Sequence, residues 1–174
     1  MGSRSACPER EVPGISPRFV PWWGATGSHS VIVGDDHSYT MHSLLVAGED
    51  HTVTGHLAAA VGGAESTASG IDSFVGGGVS ITASGEESFV GGGNSNVASG
   101  EDSFVGGGFS NDATAFGAFV GGGELNEASG VDSFVGGGEF NTAGGLESFV
   151  GGGDGDTAGP GTCAWLADVN VVAC

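Results

Sequence analysis

Every fifteen residues from Ser73 to Gly153 the chain returns to Ser-Phe-Val-Gly-Gly-Gly or a near copy of it. Aligned from Ser43, eight rows begin at Ser43, Ala58, Ser73, Ser88, Ser103, Ala118, Ser133 and Ser148. Their consensus is S-F-V-G-G-G-x-x-N-x-A-S-G-x-D/E. A degenerate row of about fourteen residues precedes them, since VGDDHSYTMH is echoed by VAGEDHTVTGH. A period this regular dictates the architecture before any single residue is weighed. It is too short for a helical hairpin, and each glycine opposes helix by ~1 kcal/mol relative to alanine. The 37 glycines do not fall at every third position, which excludes collagen. One coil of a β-solenoid, with two short strands and two tight corners, fits the period. Stacked at ~4.8 Å, eight coils make a rod roughly 38 Å long.

The expected fold is therefore all-β, a parallel β-solenoid of eight to nine coils over residues 28–160. A Pro/Trp-rich arm or cap at 1–27 precedes it, and a capping strand at 161–174 follows. Gly76, Gly77 and Gly78 and their equivalents are expected to take one corner, where positive φ is needed. Gly70, Gly85, Gly100, Gly130 and Gly145 are expected to take the other.

Stacking turns each repeat position into a column. The alanines at 68, 83, 98, 113, 128, 143 and 158 point into a narrow interior. Asn96, Asn111, Asn126 and Asn141, with Asp156 after them, are placed to form an amide ladder or to serve as turn residues. Phe and Val are neighbours on a strand, so their side chains leave opposite faces. A coil lined by alanine and glycine has room for only one of the two columns. The other faces outward, and an outward phenylalanine column makes a continuous apolar stripe larger than a soluble monomer usually carries. Phe74, Phe89, Phe104, Phe119, Phe134 and Phe149 are therefore the candidate oligomer interface.

Rows such as SFVGGGNSNVASGED resemble the head repeats of trimeric autotransporter adhesins and related bacterial and phage fibre proteins. The matching positions are the Ser-Phe-Val starts at 73–75, 88–90, 103–105, 133–135 and 148–150, and the Ala-Ser-Gly corners at 68–70, 83–85, 98–100 and 128–130. Ala118-Phe119-Val120 is a variant. The resemblance covers roughly residues 31–160. It implies a left-handed parallel β-roll, three of which pack about an apolar axis. It also implies an extracellular, cell-surface or virion setting, with a surface receptor as a possible further partner. The period here is fifteen where the familiar head repeat is fourteen, no heptads occur in 161–174, and no signal peptide or membrane anchor is visible.

Charge narrows the functions further. Against 21 acidic residues stand only Arg4, Arg10 and Arg18, for a net charge of −18. Such a body repels nucleic acid and anionic membranes. No apolar run approaches the ~18 residues of a membrane helix, so no membrane insertion is expected. A basic arm on an acidic body is a candidate for docking on its own solenoid or a neighbour's; a solvated tail is the plainer alternative. Without lysine there is no P-loop, and neither a G-x-S-x-G elbow nor HExxH is present, so an enzyme is not expected.

Three residue sets remain. Asp72, Glu87, Asp102, Asp132 and Glu147 precede the serine of their rows and stack like charges, either as a solvated edge or as a calcium-binding one. The GGxGxD calcium motif is not met, because GGDGDT carries threonine in the ligand position. His37 and His42 repeat the spacing of His51 and His56, which makes His37 and His51 candidate transition-metal ligands; His51 also falls in the asparagine column, where turn polarity explains it. Cys7, Cys163 and Cys174 flank the repeats and are candidates for cross-linking subunits; the alternative to a trimer is an extracellular filament joined head to tail through the N-terminal arm and the C-terminal strand. Thr52, Thr67, Thr82, Thr142 and Thr157 share a column that Val97, Asp112 and Glu127 interrupt, so the regular array an ice-binding face needs is broken.

Overall fold

The computed structural model describes residues 31–39, 45–159 and 165–167. The N-terminal arm, His42 and all three cysteines lie outside the described residues. The chain is a parallel β-solenoid without helix among those residues. Each coil gives one strand to a ten-stranded sheet and the next to a nine-stranded sheet, both in chain order. The Phe-Val pairs build the first sheet, in register Phe74↔Phe89↔Phe104↔Phe119↔Phe134↔Phe149. The Thr-Ala or equivalent pairs build the second. The first sheet closes on Trp165–Ala167, whose first residue stands opposite Phe149.

Valine wins the interior. Val75, Val90, Val105, Val120, Val135 and Val150 are wholly buried and meet the alanines of the second sheet, also wholly buried. Two thin columns facing each other leave no space for a phenyl ring, so the phenylalanines take the outer face. Each buried valine contributes about 1.5–2 kcal/mol, and the small alanine opposite lets the sheets approach closely.

Backbone bonds knit one coil to the next. Phe74 N–H donates to Ser88 O at 2.9 Å, Gly76 N–H to Val90 O at 2.9 Å, and Thr82 N–H to Asn96 O at 2.9 Å. At each corner one residue runs the other way. Glu87 N–H donates back to Ile71 O at 2.7 Å, and Ser95 N–H back to Val79 O at 3.0 Å. These are the residues in left-handed backbone, Glu87 at φ 55° and Ser95 at φ 58°. Turning the peptide over at the corner satisfies a group that would otherwise point along the coil.

Two expectations are corrected. Of the triple-glycine corner, Gly78 and its equivalents take positive φ, but Gly76, Gly91, Gly106, Gly121 and Gly136 do not. At the other corner Gly70, Gly85, Gly100, Gly130 and Gly145 have ordinary φ, and further left-handed places belong to Asp72, Glu87, Asp102, Asp132 and Glu147 on that side and to Ser80, Ser95 and Ser110 on the first. Those glycines are needed for close approach instead. A Cβ on Gly85 would fall inside the carbonyl group of Gly100, 2.5 Å from its carbon. The second correction is register. Leu45, not Leu44, stands opposite Ala59, because the strands of the first three coils are offset by fourteen residues at that point. The extra residue enters after Val61, where Ala47↔Val61 gives way to Glu49↔Ala64. The Gly62-Gly63 pair, at φ 91° and 81°, absorbs it.

Candidate functional site: an aromatic face over a polar ladder

The outer column of the first sheet is apolar in every described row: Val31, Leu45, Ala59, then six phenylalanines. The rings stack face to face, with centroids 5.2, 5.0, 4.7, 4.7 and 4.8 Å apart from Phe74 to Phe149 and planes within 10°. Parallel register forces this, because identical residues recur at the strand spacing. The rings of Phe74, Phe89, Phe104 and Phe134 lean over the glycine two residues on. A Cβ at Gly76 would come 3.4 Å from Phe74 Cε1, and one at Gly91 would come 3.5 Å from Phe89 Cε1. The phenylalanines are therefore half-buried within their own coil stack. Their outer rims, with Val31 at 57% and Leu45 at 40% exposure, form a straight apolar ridge.

The opposite face is polar. Its outer column reads Thr52, Thr67, Thr82, Val97, Asp112, Glu127, Thr142, Thr157 in strand register. Asp112 and Glu127 stand directly opposite each other. Burial first, then the neighbouring Glu127 carboxylate, push the Asp112 carboxyl above its usual range. A folded pKa above the unfolded one means that stability is lost as pH rises from about 3.8 through the raised value. Glu127→Thr, which restores the residue common in this column, is expected to raise stability at pH 7 by about 0.5 kcal/mol. Urea midpoints at pH 4 and pH 7 check it: the gain shrinks at the lower pH.

Asp72, Glu87, Asp102, Asp132 and Glu147 form the exposed corner column, with Gly117 interrupting it. Their place is set by the backbone, since aspartate tolerates left-handed φ better than most residues. Among the described residues no group of three His, Cys, Asp or Glu is arranged to hold a metal ion.

Inside the corner runs the polar ladder. Asn111 Oδ1 accepts Asn126 N–H at 3.0 Å and Asn126 Nδ2 at 3.0 Å. Asn111 Nδ2 donates to Gly107 O at 3.0 Å and to Gly123 O at 2.9 Å. Asn96, Asn126 and Asn141 repeat the pattern, and Asn141 Oδ1 takes Asp156 N–H at 2.9 Å. Towards the N-terminus the same column holds Ile81, Ser66, His51 and His37. Ser66 Oγ accepts Ile81 N–H at 3.4 Å, but Ile81 has no acceptor to pass the ladder on. Both histidines spend their ring nitrogens on backbone groups, His51 on Ala47 O and Ser66 N–H, His37 on Val33 O and His51 N–H. Both stand as members of the ladder column.

Sequence reasoning missed the left-handed corner residues and the leaning of these rings over glycine. The recurrent acidic residue just before serine was the available signal for the first. A scan against protein-family models and a search of curated proteins find no match to this chain.

Proposed function

We propose that the protein is a non-enzymatic structural module, fibre- or adhesin-head-like, that assembles with copies of itself through the phenylalanine face. The observation that carries this is the unbroken apolar outer column from Val31 to Phe149 on a chain of net charge −18. A straight stripe of stacked rings is self-complementary, and joining copies along it buries the rims while the acidic corners stay in water. The homotrimer and an extracellular or virion setting come from the resemblance to adhesin head repeats. Solution molar mass by light scattering tests the reading. Three chains are expected for the native protein. With Phe104→Thr and Phe119→Thr together, a single chain with unchanged far-ultraviolet dichroism is expected. A monomeric native protein overturns the proposal.

A second reading, an end-to-end filament, rests on the first strand. Val31–Asp35 pairs on one side only among the described residues and exposes Val33 at 58%. Such an edge invites another chain. An open-ended mass that collapses on adding reductant would favour this reading, with Cys7, Cys163 and Cys174 as the cross-linking residues.

A further inference from the structure

The ladder changes chemistry along its length. Asn96 to Asn141 cannot titrate near neutral pH, whereas His51 can. The two imidazoles stack at 5.4 Å with planes 10° apart. His51 Nε2 lies 3.2 Å from Ala47 O, and His51 Nδ1 accepts the Ser66 N–H at 3.2 Å. His37 Nε2 lies 3.2 Å from Val33 O, and its Nδ1 accepts the His51 N–H at 3.2 Å. A carbonyl only accepts and an N–H only donates. The pattern is therefore satisfied by one form of each ring, neutral with the proton on Nε2. Any further proton must enter at Nδ1, where it meets an N–H. On His51 the bond from the Ser66 N–H of the next coil is then lost.

We propose that His51, stacked on His37, makes the N-terminal end of the solenoid a pH-sensitive device: below neutrality the coils through Val53 release from the coil that begins at Ala59, while the asparagine-laddered coils stay closed. Release frees the edge of strand Ala59–Ala64, which now pairs with Leu45–Glu49. It acts at the end of the rod rather than on the phenylalanine face.

The surrounding charges set the direction. Burial comes first and His37 in the coil before comes next, both opposing a proton on His51; the Ala47 and Gly62 carbonyls and Asp50 at its own corner favour one. Asp36 and Glu65 occupy the same left-handed corner place as Asp50 in the coils before and after. The balance holds His51 below its usual 6.5. A folded pKa below the unfolded one contributes stability that is complete above about 6.5 and is lost as pH falls below it.

Hydrogen exchange on the full chain tests this, read as protection factors at pH 7.5 and pH 5.5. The Ser66 amide is expected to lose about tenfold in protection at the lower pH, with the Asn126 amide unchanged. In the double variant His37→Asn, His51→Asn, which places the ladder's own residue at both positions, Ser66 protection should no longer depend on pH. Unchanged Ser66 protection in the native chain, or a loss that persists in the variant, overturns the proposal. Should the variant fail to fold, ring ¹⁵N shifts of native His51 decide. A neutral Nε2–H tautomer at pH 7 that takes up a proton only below 6.5 supports the device; an Nδ1–H tautomer, or a ring already charged at pH 7, removes it.

Discussion

Asn111→Ala lowers the stability of the solenoid by about 4 kcal/mol, the largest effect expected of any single side-chain truncation here. Asn111 is wholly buried at the centre of the amide ladder. Removing its carboxamide takes away the acceptor of the Asn126 N–H and the donor to Gly107 O, and weakens Asn126 Nδ2, which keeps Gly122 O and Gly138 O. The buried N–H is the costly loss, at about 1–3 kcal/mol for a group that finds neither water nor partner. Gly123 O is spared, since it still receives Phe109 N–H at 2.9 Å. The emptied volume adds a cavity cost, because the carbonyls around it are pinned by coil-to-coil bonds and cannot collapse inward. Asn111→Leu separates the two contributions: it refills the space without restoring bonds, so it should recover the packing share alone. Equilibrium urea unfolding of the three proteins checks the order, native above leucine above alanine. Alanine matching the native protein would mean that the ladder is ornament on a backbone stack already sufficient.

The same column marks where the sequence speaks and where it is silent. A fifteen-residue period with adjacent large residues fixes parallel stacking, and strand geometry fixes that Phe and Val face opposite ways. Which one turns inward depends on the distance between the sheets, and that distance follows from the alanines on the second strand, so the answer lies in a pairing between columns rather than in either row. Register in the first coils was misread for a related reason. Leu44 and Leu45 are equally apolar, and pattern alone does not choose between them; the choice is made by the Gly62-Gly63 insertion one coil later. The corner glycines of the Gly85 column were legible as corners but not as to cause. Their φ is ordinary, and the demand for glycine comes from the carbonyl of the coil above, which no single row contains.

The interplay of corner residues yields the second large effect. Gly85→Ala is expected to cost at least about 3 kcal/mol, because the new methyl group would overlap the Gly100 carbonyl and neither backbone can yield without breaking coil spacing. One row already carries alanine at this place. In Ala115-Phe116-Gly117 the alanine occupies the glycine column, and glycine takes the left-handed place, φ 62°, that Asp or Glu fills elsewhere. That row also forgoes a bond: Gly85, Gly100, Gly130 and Gly145 each donate N–H to the alanine carbonyl of the next coil, at 3.4, 3.3, 3.0 and 3.2 Å, and Ala115 does not. The exchange reads as a compensation, with the freer residue two positions on letting the corner swing outward. Glu87→Gly in the Gly85→Ala background should then recover about 1–2 kcal/mol, partly by relieving left-handed strain at residue 87. A double-mutant cycle in urea distinguishes compensation from simple addition. If the double variant is more stable than the two single changes summed, the corner is one mechanical unit and Ala115 is tolerated because of Gly117. If the effects merely add, Gly117 relieves only its own backbone and row 115 absorbs its alanine by local displacement of the coil above.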